Sequence, residues 1–268
     1  MCQLLGMSSL KPVSLSFSMQ GFLRRGGDTG DHVDGWGYAH FSRAGWEVAR
    51  DVRPAARSPL AVETIARAAR ARAAIIHVRK ATRGQIAERN CHPFVRRLWG
   101  LDWAFAHNGN LEGLALPSAG SCYQPLGETD SEAAFCRILD ALRACFGELR
   151  PPAKVLHVAL SRITAELASH GSFNYLLSDG EYLFAHRSTD LYYLVRRAPF
   201  AREALIDCDI EINLAGVNHL DDHIVIVATQ PLTHANGWRA LEPGRVTAFR
   251  NGAEWCPGAP APGPTFAW

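Results

Sequence analysis

Four short stretches of this chain carry side chains able to do chemistry. The first is Cys2 in "MCQLLGMSS". A start methionine is trimmed when a small residue follows it, which would leave a thiol and a free α-amine on one residue. Those groups titrate near ~8.5 and ~7.7–8.0, so a proton can pass between them close to neutral pH and arm the sulfur as a nucleophile. The same residue also suits a plainer role, a buried cysteine opening an apolar strand beside Leu4 and Leu5. The second stretch is "IHVRKATRG", where alternation puts Ile75, His77 and Arg79 on one face and Ile76, Val78 and Lys80 on the other. At a strand end, the planar fork of Arg79 can grip a carboxylate bidentately or serve a structural ion pair.

The third stretch, "AHNGN" (106–110), runs a strand into Asn108 and Gly109. A side-chain amide beside an unobstructed backbone N–H can donate to an oxyanion formed in acyl transfer, or the pair can form an ordinary turn. In the fourth, "GETDSE" (127–132), Asp130 falls in the first turn of a helix, where the dipole and free N–H groups favour a carboxylate. It can cap that helix or face a pocket and hold a substrate ammonium. His77 and His107 read as core histidines with satisfied hydrogen bonds. The glycine loop "RGGDTG" (25–30) follows no clear strand and lacks the lysine of a phosphate-binding loop.

These residues need elements to position them. Residues 2–7 predict a strand and 13–24 a helix ending at Gly26-Gly27, with strands 34–41 and 45–50 forming a hairpin. Ser58-Pro59 starts a helix running to about Arg72. Strands over 73–82 and 102–109 follow. "TDSE" is a capping box, with Thr129 capping and Glu132 reaching back. A helical period continues through Phe135, Ile138, Leu139, Leu142 and Phe146, and a second amphipathic helix covers 153–170 and closes at Gly171. Strands 173–178, 181–187, 191–196, 222–230 and 245–255 complete the set, the last turning at Asn251-Gly252. This order predicts two sheets with helices outside.

Composition narrows the function classes. A hydrophobic fraction of 47% and a charged fraction of 20% describe an ordinary globular chain. A net charge of +2 gives no general case for nucleic acid, and no apolar run reaches the ~20 residues of a membrane-spanning helix. No secretory signal is recognisable at the start. Seven cysteines, an odd number without CxxC spacing, argue against a zinc site or disulfide framework and point to a reducing cytoplasm.

Taken in order, an N-terminal Cys, R-x-A-T, H-N-G and T-D-S-E resemble the class II glutamine amidotransferase domain. "DGWG" (34–37), "NCHPF" (90–94), "FNYLLSDG" (173–180) and "ATQPLT" (228–233) extend the resemblance over nearly all of 2–250, in the manner of the family's stand-alone bacterial branch. The resemblance implies an α+β fold, the four-layer αββα sandwich of N-terminal-nucleophile hydrolases. It implies one amidotransferase domain over 2–255, and composition marks a Pro/Ala/Gly-rich tail over 256–268. Cys2, freed of Met1, would attack the side-chain amide carbon of glutamine with its own α-amine as base. Asn108 and Gly109 would hold the oxyanion. Arg79 would take the substrate carboxylate and Asp130 its ammonium, with Thr82 of the R-x-A-T motif also on the substrate and Arg25 near the nucleophile. Glutamate and ammonia are the expected products, and no cofactor or metal is implied.

Two departures stand out. Lys80 and Arg83 occupy places where synthetase-coupled relatives carry Trp and His. The chain also stops after the amidotransferase region, so the ammonia acceptor is expected to be a separate synthase subunit. Otherwise the enzyme is a hydrolase of γ-glutamyl peptides or conjugates by the same mechanism, or, in a different class, the chain is a non-catalytic glutamine sensor. Nucleic-acid and membrane partners are not expected.

Overall fold

The computed structural model describes residues 2–256. Met1 and residues 257–268, which hold most of the expected tail, lie outside the described residues. Strand β1 (Gln3–Ser14) is longer than the expected 2–7. Val13 and Ser14 stay in the sheet opposite Ala71 and Arg70, past an irregularity after Ser8, so helix α1 (Ser16–Arg24) begins later than position 13. The hairpin of β2 (Trp36–Ser42) and β3 (Gly45–Asp51) forms as expected.

Helix α2 (Pro59–Arg67) starts at Ser58, whose hydroxyl accepts the Ala61 N–H at 3.3 Å. It stops well short of Arg72 because Ala68 turns left-handed, with φ 45°, and β4 (Arg70–Val78) begins. β4 in turn ends at Val78, which leaves Arg79 and Lys80 in the loop beyond it. β5 (Phe94–Leu98) pairs with β6 (Leu101–Leu111). Helices α3 (Asp130–Phe146) and α4 (Ala153–Ala168) follow, and α4 closes at Ser169 rather than at Gly171, which opens β7 (Gly171–Ser178).

The capping box at α3 is half formed. The Thr129 hydroxyl accepts the Glu132 N–H at 3.2 Å, but the Glu132 carboxylate accepts the Gly127 N–H at 2.7 Å and pairs with Arg96 instead of returning to Thr129. The remaining strands are β8 (Leu183–His186), β9 (Tyr192–Arg196), the small ribbon β10 (Arg202–Ala204) and β11 (Glu211–Asn213), β12 (Ile224–Ala228), β13 (Arg239–Ala240), β14 (Val246–Arg250) and β15 (Ala253–Trp255).

One sheet runs β13-β9-β12-β1-β4-β2-β3 and the other β15-β14-β8-β7-β6-β5, with antiparallel neighbours throughout. Strand alternation explains how they stack. Leu4, Ile75, Ala104, Ala106, Leu176 and Val225 meet between the sheets. Their sequence neighbours Leu5, Ile76 and Ile226 face outward under Met19 and Phe22 of α1 and Ala61 of α2. On the opposite outer face Phe105, Tyr175 and Leu177 pack on Phe135, Leu139, Leu156 and Leu160 of α3 and α4. The result is a four-layer αββα sandwich. Small residues keep the inner layer thin: a Cβ on Gly6 of β1 would come within 2.8 Å of a Leu176 methyl.

Candidate active site

Several chain segments end at one edge of the sandwich. Gln3 pairs with Val78, so Cys2 lies beside the loop that leaves β4. The Cys2 Sγ accepts the Lys80 N–H at 3.3 Å and lies 3.4 Å from the Lys80 carbonyl. Leu4, two residues on, exchanges hydrogen bonds with Thr229 just past β12, N–H to Oγ1 at 2.9 Å and Thr229 N–H to the Leu4 carbonyl at 3.0 Å. The loop itself is held by "DGWG". Asp34 Oδ2 accepts the Ala81 N–H at 2.7 Å, and the Asp34 N–H donates to the Arg79 carbonyl at 3.0 Å. Gly37 admits no side chain, because a Cβ there would lie 2.1 Å from the His92 carbonyl oxygen.

Cys2, Arg79, Lys80, Thr82, Gly109 and Asp130 share the wall of one small cavity of about 20 Å³. Ala81, Arg83, His92, His107, Thr129 and Ser131 complete it. Among these, His92, Thr129 and Ser131 are not among the site residues expected from the sequence. Their signal was present in "NCHPF" and "TDSE", read as a family match and a helix cap.

The charged members already have partners. Arg79 is 3% exposed, and its guanidinium donates to the carbonyls of Arg83 (3.0 Å), Gln85 (3.2 Å), Gly84 (3.3 Å) and Asp34 (3.4 Å). In this state the fork clasps the 83–85 loop. Asp130 accepts the Leu111 N–H at 2.7 Å on one oxygen and the Ser131 N–H at 2.9 Å on the other. Thr82 is exposed on the rim, and Lys80 pairs with Asp31. Arg25 stands apart from the cavity wall. It is buried against Gln3 Oε1 (3.3 Å), the carbonyls of Gln230 (3.2 Å) and Pro231 (2.7 Å), and Asp207 (2.9 Å), and so ties the start of β1 to the "ATQPLT" segment.

Asn108 sits directly behind Gly109 on β6, outside the cavity wall. Its side chain is fully buried, and neither Nδ2 nor Oδ1 has a hydrogen-bond partner among the described residues. Each such group costs about 1–3 kcal/mol, so this amide is retained against a folding cost. Its strand position is held by Asn174, whose Nδ2 donates to the Asn108 carbonyl at 3.0 Å and to Thr189 Oγ1 at 2.8 Å. The Asn174 Oδ1 accepts the N–H groups of Ser188 and Thr189, both at 2.9 Å.

Burial governs the titrating groups. It pushes the Cys2 thiol above its ordinary range, with the Lys80 amide and the Arg79 charge opposing. The sulfur therefore rests as a neutral thiol at pH 7 and needs a base. Burial also lowers His107, with the Asp130 charge opposing. His107 meets the Ser172 carbonyl at 3.1 Å through Nε2 and the Ser131 hydroxyl at 2.9 Å through Nδ1, so Nε2 carries the proton. His107 is thus the satisfied core histidine expected of it. His77 differs: neither ring nitrogen has a hydrogen-bond partner of good geometry among the described residues, although the ring approaches the His107 main chain.

A larger cavity of about 500 Å³ lies at the far end of β1 and α1, lined mainly by Met7, Leu15, Phe17, Ile224 and Ile226, and contains none of these groups. Among the described residues no set of three or more His, Cys, Asp or Glu is grouped to hold a metal, and no helix is long and apolar enough to cross a membrane.

Comparison with known families settles the assignment. The profile of the class-II glutamine amidotransferases matches residues 1–262. The chain belongs to this family. A Haemophilus influenzae protein provisionally named a glutamine amidotransferase is 41% identical over 252 residues, covering 94% of this chain and 85% of the relative. A Pseudomonas aeruginosa crystal structure, provisionally described as a glutamine amidotransferase, aligns with a TM-score of 0.75 at 34% identity, covering 96% of this chain and all of the other. The fold extends further. Glutamine phosphoribosylpyrophosphate amidotransferase from B. subtilis aligns with a TM-score of 0.60 at 15% identity, over 95% of this chain and 48% of that one. The sandwich is accordingly that of the N-terminal-nucleophile amidotransferases.

Proposed function

We propose that this family member hydrolyses the side-chain amide of glutamine through a γ-glutamyl thioester on Cys2, releasing ammonia and then glutamate. The observation that carries the reading is the shared cavity, which brings a thiol, a guanidinium, a carboxylate and the Gly109 backbone to one point. A free amino acid is a zwitterion. Arg79 takes its carboxylate and Asp130 its ammonium, and this directs the side-chain amide at Cys2. Thr82, on the same loop as Arg79, contributes to the substrate contacts.

Loss of Met1 exposes the Cys2 α-amine, which takes the thiol proton as sulfur attacks the amide carbon. Asn108 Nδ2 and the Gly109 N–H receive the oxyanion. The C–N bond breaks, the nitrogen leaves as ammonia with the proton held by the α-amine, and the thioester remains. Water then attacks the thioester carbon, the C–S pair returns to sulfur with a proton, and glutamate departs.

A cavity of about 20 Å³ admits no more than about one water. Glutamine therefore enters by displacing the 83–85 loop, which frees the Arg79 fork from three carbonyls for a charge-assisted, bidentate contact with the substrate carboxylate.

The test is intact mass before and after a glutamine-analogue diazoketone, alongside ammonia release from glutamine. One adduct on Cys2 of a protein lacking Met1 is the expected result. Ammonia release by a protein that retains Met1 would overturn the mechanism, since its base would be acylated. The same assay with γ-glutamyl peptides ranks the leaving groups, and ammonia transfer to a separate acceptor subunit is read by adding candidate synthases.

A further inference from the structure

His92 has no task in the scheme above, yet it stands in the wall of the Cys2 cavity. It is 3% exposed, and neither ring nitrogen has a hydrogen-bond partner among the described residues. Its ring packs against His77 at 4.2 Å between centroids and against Phe94 at 4.5 Å, which fixes its plane. Burial, with neighbouring His77 second, holds the imidazole well below its ordinary pKa, so it is neutral and offers one N–H and one lone pair. Buried polar groups of this kind are rarely left unmatched in proteins. The adjoining cavity has room for about one water and a polar lining to bind it.

We infer that His92 binds the water that hydrolyses the γ-glutamyl thioester, an inference that rests on the glutaminase reading. By microscopic reversibility the attacking water occupies the place that ammonia vacates, on the leaving-group side of the thioester carbon. A ring nitrogen of His92 takes a hydrogen bond from that water, or donates one to it, and so aims its oxygen. The new C–O bond forms as the water proton passes to the Cys2 α-amine. The C–S bond then breaks, its electron pair stays on sulfur, and the amine returns the proton. His92 exchanges no proton in this sequence. It is a positioning residue, and its contribution falls on deacylation rather than acylation.

Rapid-quench intact mass of wild type and His92→Phe after mixing with glutamine separates the two half-reactions. A misplaced nucleophile costs on the order of 10² in rate. The phenylalanine variant is therefore expected to release its first equivalent of ammonia at a near wild-type rate, to accumulate the γ-glutamyl adduct, and to turn over ~10²-fold more slowly. Hydroxylamine, which attacks the thioester without needing the site, should restore turnover. His92→Gln, which keeps a donor and an acceptor, should recover at least part of the deacylation rate. Acylation and deacylation slowed together, with no adduct, would show a structural role and overturn the inference.

A high-resolution crystal structure of the free enzyme decides the site independently of activity. Ordered solvent within hydrogen-bond reach of a His92 nitrogen is expected, and its absence from wild type would overturn the inference. A wild type that releases no ammonia from glutamine would instead remove the glutaminase reading, and the solvent density would still decide whether His92 binds water.

Discussion

Acidification should weaken this fold before its carboxylates titrate, because two imidazoles are buried uncharged. His77 and His92 are 0% and 3% exposed, and burial depresses both well below the ordinary value. Unfolding releases each ring to water, where its pKa is ~6.5. Below that value the unfolded chain binds protons that the folded chain refuses, so stability rises with pH and is lost as pH falls. A ring that took up no proton in the fold would contribute about 0.2 kcal/mol of penalty at pH 7 and about 2.1 at pH 5, which is the ceiling for each. The pair can therefore cost up to about 4 kcal/mol over that interval, a large part of the ~5–15 kcal/mol that holds a domain together. His107, lowered for the same reason, acts in the same direction.

Urea unfolding at pH 7 and pH 5 measures the loss. Repeating it on His92→Gln cancels the other groups, and the loss should shrink by up to about 2 kcal/mol. A decline below ~1 kcal/mol in wild type would refute the reasoning, as would ¹⁵N chemical shifts showing either ring charged in the fold at pH 5.5. The shifts need no variant, so a glutamine substitution that failed to fold would leave the prediction testable.

Asn108→Ala should lower the glutaminase rate by ~10²–10³ with little change in KM, as expected for a donor acting on the oxyanion; stopped assays on purified variants decide it, and a change of only a few-fold removes Asn108 from that role. Asn174→Ala strands the N–H groups of Ser188 and Thr189, so denaturant titration should show a loss of about 2–6 kcal/mol, from ~1–3 per donor. Arg196 and Glu203 form a buried bidentate pair, Nη2 to Oε2 at 2.6 Å and Nε to Oε1 at 3.1 Å. Glu203→Ala should cost about 3–5 kcal/mol by leaving the guanidinium uncompensated, and a thermal midpoint unchanged from wild type would contradict this.

Much of the fold was legible because apolar alternation is strong where both strand faces are buried. Leu4 and Leu5, Ile75 and Ile76, and Ala104 and Phe105 each send one side chain to the inner layer and the next to a helix. Boundaries were less legible where the backbone decides them: α2 ends on a left-handed alanine, which no side-chain pattern announces. β5 escaped because "FVRRL" is five residues with two arginines, at the edge of its sheet. At the site, order along the chain brought Cys2, Arg79, Gly109 and Asp130 together, but it could not show what they touch. That Arg79 holds three loop carbonyls, or that His92 joins the cavity wall, depends on contacts between segments remote in sequence.

The central strand of the first sheet has a consequence for biosynthesis. β1 is flanked on one side by β4 and on the other by β12, with Leu5 opposite Ala228 and Ser9 opposite Ile224. A nascent chain therefore makes its cysteine early but cannot complete the sheet around it until residue 228 has emerged. At ~5–20 residues per second that wait lasts roughly 10–45 s. During it one edge of β1 is open and its apolar faces uncovered, a state that invites chaperones or aggregation. Such distant pairing also slows folding after release. The residues that line the thiol's cavity all lie between positions 2 and 131, yet the sheet that holds them is finished only when residue 228 arrives, so truncated products would carry the site residues without the completed sheet.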